Sequence, residues 1–208
     1  MLRIRKKCFW LASAISLCGF VGFIVISPRA PAFLPEGKNV IDMHAHIAGL
    51  GKGCTECFVS NELRKNMRFG WYLKAFGTNL GELDRIGDSA LTSRLLKHVN
   101  TSRWVRQIVL LALDGVASEI GELDREATQI FVPNAYVAGI AKRHEEFLFG
   151  ASINPHRTGW YERLAQAKRD GAVLNKWLPA IMQIDPGDHA LEAFYSAPVS
   201  YTHLRAHE

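Results

Sequence analysis

The chain has 208 residues, of which 25 are basic, 20 are acidic and 48% are hydrophobic. This length and this apolar content allow one sizeable folded domain. Five basic residues and no acidic ones lie in residues 1–32, so the rest of the chain carries 20 basic and 20 acidic residues. A neutral domain excludes a general basic surface, and we predict no nucleic-acid partner.

Residues 1–32 form the first predicted segment. A cationic head that ends at Lys7 precedes 18 uncharged residues at 9–26. About 20 apolar residues cross a bilayer as a helix, and a cationic head stays cytoplasmic. We therefore predict a transmembrane or signal helix that anchors the domain to a membrane on the periplasmic or extracellular side. The alternative is secretion after cleavage, because Ala30-Pro31-Ala32 resembles a signal-peptidase site.

Residues 33–197 form the second predicted segment, in which apolar strands alternate with amphipathic helices. Strands are predicted at 39–47, 105–113, 147–153 and 172–178, and helices at 84–99, 134–146, 158–170 and 188–195. Continuous apolar strands are typical of a parallel sheet covered on both faces. The order of the elements therefore predicts an α/β fold.

The first strand carries the sequence VIDMHAHI, and its polar residues occur at every second position. Because side chains alternate across a strand, Asp42, His44 and His46 are predicted to share one face. This face becomes polar toward the carboxyl end of the strand, where a (β/α) barrel carries its active site. Two imidazoles on one face can hold a divalent metal, and we expect zinc. Asp42 is a candidate to orient a neighbouring ligand by a hydrogen bond.

Two cysteines follow in the glycine-rich loop after this strand. Cys54 and Cys57 form a single C-x-x-C, and a zinc ribbon would need a second such pair. A disulfide and two free thiols both remain open from the sequence.

The first strand also carries a family resemblance. VIDMHAH resembles the first strand of the amidohydrolase superfamily of metal-dependent hydrolases. Four later stretches look like its amidohydrolase-related branch, namely GLGKGCTECFVS, FVPNAYVAGIAKRH, GASINPHR and GAVLNKWLPAIMQIDPGD. The resemblance runs from about residue 38 to about residue 195. It implies a distorted (β/α)8 TIM barrel and one or two divalent metals, which activate water to attack an amide, ester or lactone-like bond of a small-molecule substrate.

Lys176 lies toward the end of the fourth predicted strand. In part of the superfamily a carbamylated lysine on that strand bridges two metals, so the resemblance makes Lys176 a candidate catalytic residue. The alternative is a lysine that contacts substrate or solvent. Asp114 and His156 also lie at the ends of strands, and there we interpret them as hydrogen-bonding residues of loops.

Residues 198–208 form the third predicted segment, PVSYTHLRAHE, which has no barrel pattern. It resembles the translation of a sequencing adapter, so we interpret it as an artefactual tail and do not count His203 or His207 as ligands. A complete barrel needs about 250 residues, and the resemblance implies further ligands on later strands. We therefore expect an N-terminal half barrel that is inactive alone.

Two other functions stay open from the sequence. Part of the same branch uses the metal for decarboxylation rather than hydrolysis. A membrane-tethered binding protein could also keep the barrel without catalysis.

Overall fold

The computed structural model describes residues 37, 40–50, 53, 54, 56–200 and 205–207. Within these residues no helix is long and apolar enough to cross a membrane. The transmembrane helix that we predicted ahead of the barrel is therefore not supported as part of the fold. The predicted segment, residues 9–26, lies outside the described residues.

A parallel sheet forms the centre of the domain. Its strands are β1 (Val40–His46), β3 (Val105–Leu111), β5 (Phe147–Ala151), β6 (Ala172–Lys176) and β7 (Arg205–His207). The order across the sheet is β1-β3-β5-β6-β7, so each strand lies beside the next one along the chain. The first four strands form half of a (β/α) barrel, and the α/β class is as the sequence predicts. The last strand belongs to the segment that we interpreted as a tail.

Two short strands lie outside this sheet. They are β2 (Phe58–Val59) and β4 (Ile130–Phe131), which pair antiparallel with each other. Each strand has only two residues, which is too short for an alternating apolar and polar pattern, so neither strand could be predicted from the sequence.

Helices connect the strands. They are α1 (Asn61–Lys65), α2 (Met67–Ala75), α3 (Leu80–Ile86), α4 (Ser89–Thr101), α5 (Asn134–Ala141), α6 (Trp160–Arg169), α7 (Pro179–Met182) and α8 (Glu192–Ser200), the last preceded by a 3-10 turn at His189–Leu191. The helix predicted at 84–99 is in fact two helices. Gly87 has a φ of 65°, which glycine adopts without strain, and it ends α3.

The two faces of the sheet bury different apolar sets. Ile108 and Leu110 of β3 pack with the helices in the main core. Val109 and Leu111 alternate with them and pack with Leu174 of β6 on the opposite face. This second face corresponds to the lumen of a barrel, and we call it the lumen face.

One row of residues crosses the lumen face at the carboxyl ends of the strands. His46 pairs with Leu111, Leu111 with Gly150, and Gly150 with Leu174. A Cβ atom added at Gly150 would lie 2.6 Å from the Leu111 side chain. The strand therefore needs glycine here because neighbouring side chains already fill the space.

The helical segment between β2 and β3 places several aromatic residues at the surface. Trp71, Tyr72 and Phe76 are 66%, 65% and 50% exposed, so they do not pack in the core.

Candidate metal centre at the end of the first strand

An irregularity in β1 determines where its polar side chains point. Asp42 pairs with Ile108 and Ala45 pairs with Leu110, so β1 uses three residue steps where β3 uses two. This is a β-bulge, which inserts one residue and re-aims the side chains around it. The strict alternation that we predicted for β1 does not hold across Met43 and His44.

The bulge brings the two predicted ligands together. The Nε2 atoms of His44 and His46 are 3.0 Å apart, and the two rings meet edge to face with centroids 5.0 Å apart. Two nitrogens bound to one tetrahedral zinc at 2.0–2.1 Å would be about 3.3 Å apart. The imidazoles are thus already close to the separation that a shared divalent cation requires.

Asp42 lies on a different face from the predicted one. Its partner in the sheet, Ile108, faces the helices, whereas His46 pairs with Leu111 on the lumen face. The Oδ1 atom of Asp42 accepts a hydrogen bond of 3.0 Å from the backbone N–H of His44. Asp42 therefore contacts one of the two predicted ligands through its backbone and holds the bulge.

His46 is held in its neutral form. Burial, together with repulsion from His44 and the charge of Lys176, lowers the pKa of His46 to about 4. The backbone of Leu111 acts in the opposite direction. Even so, Nδ1 of His46 is buried and makes no hydrogen bond that meets normal geometry. A neutral imidazole is the form that binds a metal.

Lys176 lies on the same face as His46. It follows Leu174 by two residues on β6, and its charge acts on the pKa of His46. The structure thus brings the fourth-strand lysine and the first-strand histidines to the same end of the sheet. It shows no contact between Lys176 and either ring.

A cavity of about 550 Å³ opens beside His44 at the edge of the sheet. Its walls are mainly apolar and come from β1, β3, α4 and the end of α2, and its polar residues include Asp42, His44 and His98. His98 on α4 is exposed and also lines this cavity.

The donor set fits a metal in part. Two imidazole nitrogens converge, and zinc, copper and nickel all accept imidazole. A catalytic zinc usually takes three protein ligands. Among the described residues, no group of three or more His, Cys, Asp or Glu side chains lies close enough to hold a metal ion. This part of the chain therefore offers two ligands of such a site.

The other residues at the strand ends serve the loops, as predicted. Asp114 is buried and accepts hydrogen bonds from the backbone N–H of Gly115 and Asn154, and it pairs with Arg157 and Arg163. His156 is exposed and donates its backbone N–H to the side chain of Asn154. Neither residue approaches the histidine pair.

The loop after β1 is closed by a disulfide between Cys54 and Cys57. A Cβ atom added at Gly49 would lie 2.7 Å from the Cys57 side chain, so the loop packs tightly against the chain that leaves β1. The sequence left the oxidation state of the two cysteines open, and the structure joins them.

Sequence reasoning missed Asp88. This carboxylate is buried, at 3% exposure, and it accepts hydrogen bonds from the backbone of Ala48 and Gly49, which follow β1 directly. The helix predicted at 84–99 includes Asp88, so the sequence provided no reason to expect a turn there. A contact that spans 40 residues has no local pattern from which to predict it.

Comparison with known proteins adds no relative. No protein-family model matches the chain, and no curated protein and no solved structure matches it either.

Proposed function

We propose that His44 and His46 supply two ligands of a divalent metal, most suitably zinc, in a hydrolase of the amidohydrolase type. The observation that supports the proposal is the convergence of the two Nε2 atoms, 3.0 Å apart, at the carboxyl end of the first strand of a parallel half barrel. This is the end of a (β/α) barrel at which active sites are found. No third His, Cys, Asp or Glu side chain completes the site within the ranges that the structure describes.

The chemistry follows from the residues at this end of the sheet. A divalent metal held there would supply Lewis-acid chemistry, since it makes water more acidic and polarises a carbonyl group. The buried, neutral His46 ring keeps a nitrogen lone pair free for the metal at neutral pH. Lys176 adds a positive charge on the same face, where it can contact an anionic or carbonyl group of a small-molecule substrate.

The direct test is zinc binding to the 208-residue chain. We expect calorimetric titration with ZnCl2 to detect a site that is lost in His44→Ala and in His46→Ala. We also expect ZnCl2 at about 100 times its Kd to stabilise the wild-type chain by about 2.7 kcal/mol and to leave both variants unchanged.

A matched control is available on the surface. His189 is an exposed histidine far along the chain, with 98% of its side chain accessible. The His189→Ala variant should bind zinc like the wild type. Equal binding by the wild type, His44→Ala and His46→Ala would contradict the proposal.

Hydrolysis and decarboxylation are separated by their products. A hydrolase consumes water and releases an acid together with an amine or an alcohol, whereas a decarboxylase releases carbon dioxide. Zinc binding without turnover of either kind would favour the non-catalytic binding protein.

A further inference from the structure

Asp88 occupies the connection between two helices. It follows Gly87, which ends α3, and it directly precedes α4. An Asp at this position usually caps the helix by accepting a hydrogen bond from its first turn. Asp88 makes no such bond to α4.

The carboxylate points instead to the chain that leaves β1. Oδ1 accepts the N–H of Ala48 at 3.0 Å, and Oδ2 accepts the N–H of Gly49 at 2.8 Å. Oδ2 also accepts the hydroxyl of Tyr136 on α5 at 2.9 Å. Asp88 therefore joins three separate parts of the fold at the end of the strand that carries the histidines.

A buried charge of this kind is costly. Burial raises the pKa of the Asp88 carboxyl, and the hydrogen bonds from Tyr136, Gly49 and Ala48 oppose this change. No Lys or Arg forms an ion pair with Asp88 in the described part of the chain. The N-terminus of α4 favours a negative charge there, but a neutral cap would serve the helix equally well.

The backbone that Asp88 holds is adjacent in the chain to the His44–His46 pair. Ala48 is two residues beyond His46, and Gly49 has a φ of 64°, so the chain turns away from the sheet at this point. Both residues are buried. A change in this turn would rotate the last residues of β1 and separate the His44 and His46 rings.

We propose that Asp88 is a positioning residue for the His44–His46 pair, which its carboxylate orients through the backbone of Ala48 and Gly49. This inference rests on the metal-binding role proposed for the two histidines. It assigns Asp88 no contact with metal or substrate.

The test measures zinc affinity and backbone dynamics separately. ZnCl2 is titrated into the 208-residue wild type and into Asp88→Asn, and the heat that remains in the His44→Ala/His46→Ala double variant is subtracted as background. We expect at least a tenfold loss of zinc affinity in Asp88→Asn, because groups that orient ligands typically contribute 10–100-fold. In the absence of metal, we expect amide hydrogen exchange at Ala48 and Gly49 to be faster in Asp88→Asn than in the wild type.

Two controls separate positioning from general stability. Tyr136→Phe removes the hydroxyl donor but keeps both backbone hydrogen bonds, so its zinc affinity should stay within twofold of the wild type. Leu164→Ala lowers the melting temperature by a cavity in the main core under α6, a helix that packs on β6, and should also keep its affinity. Asp88→Glu keeps the charge but displaces the carboxylate, and it provides a second test if Asp88→Asn does not fold.

The outcomes distinguish this inference from the proposed function. Wild-type zinc affinity in both Asp88→Asn and Asp88→Glu would overturn the positioning role alone. An equal loss of affinity in Leu164→Ala would also overturn it, since the effect would then reflect stability. Absence of zinc binding in the wild type would overturn the proposed function and this inference together.

Discussion

The carboxyl ends of β1 and β3 are neighbours in the sheet but differ in how fully their polar groups are paired. At the end of β3, both oxygens of Asp114 are used, by two backbone N–H groups and two guanidinium groups. At the end of β1, the Nε2 atoms of His44 and His46 hydrogen-bond to each other, and Nδ1 of His46 is buried without a hydrogen bond of normal geometry. A fully paired carboxylate indicates a structural role, whereas a buried nitrogen without a partner needs another explanation, such as a ligand.

The difference also has an electrostatic side. Asp114 is paired with two cations, Arg157 and Arg163, so its charge is fully compensated. His46 has a positive neighbour, Lys176, and a second imidazole, which together disfavour its protonation. One strand end holds a paired charge, whereas the buried imidazole at the other end stays neutral.

The largest expected effect comes from removing the charge at the β3 end. Asp114→Ala should lower the free energy of unfolding by about 3–5 kcal/mol, because it removes the buried carboxylate that pairs with the half-buried Arg157 and Arg163. Urea unfolding measures the change. The exposed pair of Arg64 and Asp84 supplies the control, and Asp84→Ala should cost less than about 1 kcal/mol. Similar costs for the two variants would mean that the Asp114 network is not energetically distinct.

An intermediate effect on stability is expected from Gly150, which lies in the row of residues that crosses the lumen face from His46 to Leu174. Gly150→Ala should destabilise the protein by about 1–3 kcal/mol, since the new Cβ would lie 2.6 Å from Leu111, the partner of His46. Gly139→Ala is the same substitution in α5, where nothing lies within 4 Å of the added atom. It should stabilise the protein by up to about 1 kcal/mol. Thermal unfolding compares them, and equal shifts in Tm would contradict the tight packing of the row.

The smallest expected effect is on the pH dependence of folding stability, through the buried carboxyl of Asp88. The pKa of Asp88 is raised in the folded state, so the folded protein holds a proton more tightly there than the unfolded chain does. The cost of the buried charge is therefore complete above the raised pKa, and it is relieved as the pH falls from that pKa toward the ordinary aspartate pKa of 3.8. Relative to Asp88→Asn, the wild type should gain stability in this acid window. Urea midpoints from pH 7 to pH 4 measure it, and parallel curves would contradict the shift.

The sequence was sufficient to predict the elements that have a local pattern of apolar residues and turns. Apolar runs and the turns that end them located the four barrel strands, and the spacing of Leu174 and Lys176 places the lysine on the lumen face. The parallel order followed from the alternation of strands and helices. The proximity of His44 and His46 was also predicted, although the reason for it was not.

The remaining features depend on contacts that a local pattern does not contain. The bulge in β1 is a mismatch between two strands, so the alternation of β1 alone placed Asp42 on the same face as His46. Gly87 lies inside an otherwise helical pattern, and only its φ of 65° shows that the helix ends there. Asp88 is defined by partners about 40 residues earlier in the chain.

The bulge has a consequence for protein design. Histidines at alternate positions of a regular strand lie one above the other, whereas here an extra residue and a carboxylate under the backbone turn the two rings toward each other. Grafting this histidine pair onto another scaffold would therefore require the whole stretch from Asp42 to His46, together with a neighbouring strand that is one residue shorter. A transplanted H-x-H on a regular strand would carry the two histidines without their geometry.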